Sequence, residues 1–153
     1  MKIKALSLLE LLLAIAISAA IMLAAVRYYS TVSASQRLTT LENQVNAMYK
    51  AVAACIGQQS PTTGNDTSTC FDETWMTTTS NYLAASTLQN PYGGANNLVN
   101  ALPDAKLVLI DVPSDVCDKL ASRMINSLPA STTISMQNTS SWGTQCVALI
   151  PLN

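Results

Sequence analysis

Glu10 sits where a carboxylate is expensive. It is the only charge in Leu6–Val26, LSLLELLLAIAISAAIMLAAV, a run otherwise made of apolar or small residues. A helix of about 20 such residues, rising about 1.5 Å each, spans the hydrocarbon core of a bilayer. A charge held at mid-membrane costs about 2.5–3.5 kcal/mol, so something must compensate it. Cutting the chain between Ala5 and Leu6 would create an α-ammonium four residues before Glu10. That amine on one copy could pair with Glu10 of a neighbouring copy, inside a membrane or a fibre core.

The rest of the chain offers little to a catalyst. There is no histidine, which removes the usual general base and the commonest metal ligand. The serines therefore have no imidazole partner, and neither a G-x-S-x-G motif nor a phosphate-binding glycine loop occurs. Asp115 and Asp118 stand three apart, which suits charges at the start of a helix. Asp66 and Asp72 lack the loop of spaced oxygen ligands that holds Ca²⁺. Asn65-Asp66-Thr67 and Asn138-Thr139-Ser140 match the N-glycosylation pattern, which is frequent by chance in a Thr-rich chain. We expect no enzymatic activity, no cofactor and no metal.

Cys55, Cys70, Cys117 and Cys146 all lie beyond the apolar run. An even count in a chain exported past a membrane reads as two disulfides, and no C-x-x-C pair argues for a metal. Lys2 and Lys4 before the span favour an N-in, C-out orientation, weakly opposed by Arg27. Net charge is −1, and losing Lys2 and Lys4 would make it −3. That is not the positive field of a bulk nucleic-acid binder. Charged residues make up 11% of the chain, a weakly charged surface that suits contact between copies.

The N-terminus resembles that of the type IV pilins and the related type II secretion pseudopilins. The resemblance rests on a short basic leader (Met1-Lys2-Ile3-Lys4-Ala5), then Leu6-Ser7-Leu8-Leu9-Glu10, then the apolar run. It implies a prepilin peptidase that cuts after Ala5 and methylates Leu6, and an assembly role for Leu6 and Glu10. Ala5 stands where the family usually has Gly, and the family's helix-breaking Gly and Pro are missing from this segment. A plain secretory signal would not carry an acid inside its apolar core, and a plain anchor leaves Glu10 unexplained.

The elements that must position these residues begin with one helix. No Gly or Pro occurs before Gly57, which we expect to cap the helix. Leu38, Leu41, Val45, Met48, Val52 and Cys55 recur at spacings of three and four, an apolar stripe. The spacing predicts a helix from about Leu6 to Ala54, greasy all round at first and amphipathic later. Ile56 to Asn81 reads as a loop with one helical turn around Phe71 to Met76, and a 55–70 bridge would tie it to the helix end. Asn90-Pro91-Tyr92-Gly93-Gly94 signals a turn. Asn97–Leu102 and Lys106–Val112 read as a hairpin linked by Pro103-Asp104-Ala105.

Ser114 is expected to cap a helix running from Asp115 to about Leu128, ended by Pro129, with Val116, Cys117, Leu120, Ala121, Met124 and Ile125 as its apolar face. Thr132–Gln137 and Gln145–Leu152 complete the strands, and a 117–146 bridge would staple helix to strand, though connectivity stays open at this level. The fold class is α+β: a long N-terminal helix packed on a small antiparallel sheet, with a second helix and two disulfides. Residues 1–5 form the leader, 6–29 the membrane or fibre-core helix, 30–56 its amphipathic half and 57–153 a globular head.

The head adds to the resemblance. The N-P-aromatic-G-G turn, the hairpin, Val112-Pro113 followed by Cys117 and Leu120, and a late Cys look like type IVb pilins. In those a C-terminal disulfide frames the exposed region, which here maps onto Cys117 and Cys146. The five-residue leader is shorter than theirs. The expected function is a structural pilus subunit, a homo-oligomer in a helical surface fibre, held single-pass in the inner membrane before assembly. Its partners would be the peptidase, the assembly machinery and other minor pilins. The alternatives are a minor pilin or pseudopilin, and a membrane-anchored periplasmic binding or enzymatic domain.

Overall fold

The computed structural model describes residues 8–58, 67–79, 82–101, 104–139, 141 and 143–151. Helix α1 spans Leu8–Gln58, and two turns follow it, a 3-10 turn at Thr67–Phe71 and a π turn at Trp75–Thr79. A further 3-10 turn, Ala85–Leu88, precedes strands β1 (Asn96–Ala101) and β2 (Asp104–Leu109). Helix α2 (Ser114–Met124) leads to β3 (Thr133–Thr139) and β4 (Gly143–Pro151). The sheet order is β1-β2-β4-β3, antiparallel throughout. The chain is therefore α+β, with two disulfides, Cys55–Cys70 and Cys117–Cys146.

Two compact units divide the chain, Met1–Gln36 and Arg37–Asn153. By compactness the helix residues 37–58 group with the head rather than with the first half of their own helix. The division has a plain cause. Leu38, Leu41, Val45, Met48, Val52 and Cys55 are all buried, as the three-four spacing predicts, whereas every residue from 8 to 31 is exposed.

In the second unit the helical stripe joins one face of the sheet in a single core. Register explains which strand residues take part. Leu107 lies opposite Leu98 and Ala148, and Leu109 opposite Asn96 and Cys146, so these side chains share a face. Leu120 and Met124 of α2 complete the same core. Val108 and Val147 pair across strands on the opposite face and are also buried.

Several boundaries differ from expectation. Helix α1 carries through Gly57 to Gln58, so Gly57 lies within the last turn instead of stopping it. Pro113, not Ser114, occupies the cap of α2; its carbonyl accepts from Val116 N–H and Cys117 N–H, and Ser114 makes no capping bond. Helix α2 stops at Met124, four residues short of Leu128, and Ser127 and Leu128 turn back on the Met124 carbonyl. Ile125 keeps helical dihedrals at the C-cap, yet it lies at the edge of the apolar face and is 71% exposed. Strand β2 ends at Leu109 because Asp111 adopts a left-handed φ of 58° and donates its backbone N–H to Gln145 Oε1 at 3.0 Å. Among the described residues of the 56–81 stretch, two short turns stand where one was expected.

Candidate functional site

The first unit presents one feature to its surroundings, an apolar rod. Eleven large apolar side chains between Leu8 and Val26 are 52–78% exposed. At about 1.5–3 kcal/mol for each side chain fully withdrawn from water, their exposed parts represent on the order of 10–20 kcal/mol. A stretch of residues 8–26 rises about 28 Å, close to the thickness of bilayer hydrocarbon, and the helix is long and apolar enough to cross a membrane. Glu10 is exposed within it. Ala5 and Leu6 lie outside the described residues, so the four-residue spacing between Leu6 and Glu10 stands as a statement of sequence.

Three hydroxyls in this unit are satisfied by their own helix. Ser18 donates to the Ala14 carbonyl at 2.8 Å, while Ser30 and Thr31 both donate to the Arg27 carbonyl, at 2.8 and 3.0 Å. Such back-bonding removes the penalty of an unpaired hydroxyl in apolar surroundings.

In the second unit the two disulfides fix the loops. Cys55, on the buried stripe of α1, joins Cys70 in the turn at Thr67–Phe71. Cys117, on the buried face of α2, joins Cys146 on β4. The first bridge holds a segment whose next residues reach the sheet. Glu73 Oε1 accepts the backbone N–H of Leu98 on edge strand β1 at 2.7 Å. Burial pushes the Glu73 carboxyl above its ordinary value, the Leu98 N–H draws it back, and the charge of Asp72 adds to the rise. Tyr82 donates its hydroxyl to Gln58 Oε1, a second tie between helix end and loop.

The turn at Asn90–Gly94 is held by two backbone bonds, Asn90 N–H to the Gly94 carbonyl and Gly93 N–H to the Asn90 carbonyl, and by one side chain. Asn90 Oδ1 accepts from Tyr92 N–H and Gly94 N–H, and its Nδ2 donates to the Ile110 carbonyl at 2.7 Å. Gly94 must be glycine, because a Cβ there would stand 2.0 Å from the Ile110 carbonyl oxygen. Next to it Asn96, fully buried, donates to Gln44 Oε1 on α1 and to the Thr87 carbonyl. Gln44 in turn donates to the Gln89 carbonyl. Helix, turn and first strand are thereby joined by polar contacts, buried at Asn96 and half-exposed at Gln44.

The remaining features are shallow. A groove of about 230 Å³ between α2 and β3 is lined by Met124, Ile125, Pro129, Thr132 and Ile134, among others. Thr132 Oγ1 is buried beside it without a hydrogen-bond partner. Asp115 pairs with Lys119 across one exposed turn of α2, and Asp118 lies beyond the helix's first turn. Arg123 reaches Glu42 on α1 at 3.3 Å. Asp72 Oδ1 accepts from Thr74 N–H, and Asp66 lies outside the described residues. Among the described residues no three metal-ligating side chains converge.

Sequence reasoning located the rod, the stripe and the cysteines. It missed Glu73, whose partner is 25 residues away, and the buried Asn96, which reads as one more polar loop residue. Asn90 was detectable in principle, since Asn before a Pro-aromatic-Gly turn commonly accepts from the backbone two residues on. No protein-family model, curated protein or solved structure matches this chain, so its functional reading rests on the exposed rod and its single acid.

Proposed function

We propose that this chain is a structural subunit of a type IVb-like pilus, cut after Ala5 and assembled into a helical surface fibre. The observation that carries the reading is the combination, within residues 8–26, of eleven exposed large apolar side chains with a single carboxylate, Glu10. A rod of that kind is stable only in lipid or against other apolar rods. Lipid holds the subunit before assembly. In the fibre, identical rods replace lipid, and Glu10 meets the Leu6 amine of a neighbouring copy.

Charge in a low-dielectric core makes a mismatched stagger costly, so the pair selects one axial register. The disulfide-bridged heads form the outside. Two measurements test the proposal together. Intact mass of fibre material should show loss of Met1–Ala5 and gain of one methyl group. Glu10→Ala should yield membrane-held subunits and few fibres by electron microscopy. A full-length mass, or wild-type fibre numbers from the variant, refutes the reading.

A further inference from the structure

Arg27, Tyr28 and Tyr29 follow directly on the apolar run, and all three are exposed, the tyrosines at 74% and 76%. Consecutive helix positions differ by about 100°, so these side chains point in three directions around the rod. A surface for one protein partner repeats every three or four residues along a single side. A ring instead meets a medium that surrounds the helix. Before the ring the helix is apolar on every side, and after it come Ser30, Thr31, Ser33, Ser35 and Gln36. The residue types suit a boundary, since tyrosine has an apolar body with a polar tip and collects at membrane interfaces. Arginine matches a phosphate with a planar fork of donors. Arg27 is also the only cation between Leu6 and Gln36, and stands about 26 Å along the axis from Glu10, the only anion there.

We propose that Arg27, Tyr28 and Tyr29 form a collar that docks in the phosphate-bearing headgroup layer of a phospholipid bilayer, fixing how deep the rod sits. The proposal rests on the reading that residues 8–26 lie in a membrane before assembly, and adds where the rod stops. Arg27 binds lipid phosphate, the tyrosine rings lie at the edge of the acyl chains, and the Ser30 and Thr31 hydroxyls keep the Arg27 carbonyl satisfied at the boundary. Leaving the bilayer then requires releasing this collar.

The full chain in phosphatidylcholine–phosphatidylglycerol vesicles supplies the test. Tyr29→Trp and, separately, Ala16→Trp report depth through quenching by lipids brominated near the headgroup or near the chain end, with the wild-type signal of Trp75 and Trp142 as baseline. We expect the Tyr29→Trp probe to be quenched at least about twofold more by the shallow bromines, and the Ala16→Trp probe more by the deep ones. Adding Arg27→Gln to Tyr29→Trp should abolish that shallow preference, and Arg27→Lys should restore most of it. Deep quenching of the Ala16→Trp probe with no shallow preference for Tyr29→Trp overturns the collar while the span stands. A shallow preference untouched by Arg27→Gln overturns the phosphate contact. Absence of quenching at both positions overturns the span and the collar together.

Discussion

Leu41 and Leu13 are the same residue type in the same helix, yet their substitution should have opposite consequences. Leu41 is fully buried and Leu13 is 60% exposed. Leu41→Ala removes three carbons from the core, about 2.4 kcal/mol at about 0.8 kcal/mol each. The cavity left beneath the sheet adds a further penalty, bringing the total to about 3–5 kcal/mol. Leu13→Ala empties no cavity and exchanges one good helix former for a better one, a change of a few tenths of a kcal/mol. Urea titration of the full chain in a non-ionic detergent, followed by tryptophan fluorescence, reads the head, because Trp75 and Trp142 both belong to the second unit. With a urea dependence of about 2 kcal/mol per molar, Leu41→Ala should lower the midpoint by about 1.5–2.5 M. Leu13→Ala should leave it within about 0.3 M. Equal shifts, or a loss under about 1 kcal/mol at Leu41, would contradict the division of α1 into a free rod and a core stripe.

Glu73 should give the head a pH-dependent term. Its folded-state value lies above the ordinary one, so the stability it contributes is present at low pH and disappears as pH climbs through that raised value. The stability of wild type relative to Glu73→Gln should therefore fall as pH rises from 4 to 7, and a flat difference would refute the role of burial. Removing Cys117–Cys146 by paired alanine substitution should cost about 3.5 kcal/mol, and removing Cys55–Cys70 about 3 kcal/mol, from closed loops separated by 29 and 15 residues. Denaturation midpoints in the reverse order would count against loop entropy as the cause. Gly94→Ala should cost on the order of 2 kcal/mol or more through its clash with the Ile110 carbonyl. Gly57→Ala, in the last turn of α1 with open space around it, should stabilise by about 0.5–1 kcal/mol. Similar effects from the two substitutions would refute the geometry assigned to the Asn90 turn.

What was legible in the sequence was what repeats or punctuates. The stripe from Leu38 to Cys55 announces its burial by spacing alone, and so does the Asn90–Gly94 turn by its Pro and Gly. The hairpin of β1 and β2 and the closing strands were placed to within a few residues. The errors lie where a distant partner decides. Ser114 is a good capping residue by type, but Pro113 supplies the carbonyl on which α2 starts, and the hydroxyl is left out. Ile125 fits the apolar face of α2 by spacing, yet it stands at the edge of that face, at the C-cap, and is left in solvent. Lys106–Val112 reads as one strand, and only Gln145, across the sheet, reveals why it bends at Asp111. The same holds for Glu73 and Asn96, whose contacts depend on the completed sheet.

The slot taken by β4 governs the order in which the head can be completed. Although last of the four strands in the chain, β4 lies between β2 and β3. The hairpin of β1 and β2 forms from neighbours, but it gains its second flank only when a segment some forty residues later arrives. Until then β2 offers open backbone groups, the hazard that long-range strand pairing always carries. On the proposed reading, in which the head crosses a membrane N-terminal end first, Cys55 and Cys70 would emerge long before Cys146, so their bridge could close while Cys117 is still a free thiol. Fidelity of oxidation in this head is therefore a question of timing, set by where one strand inserts.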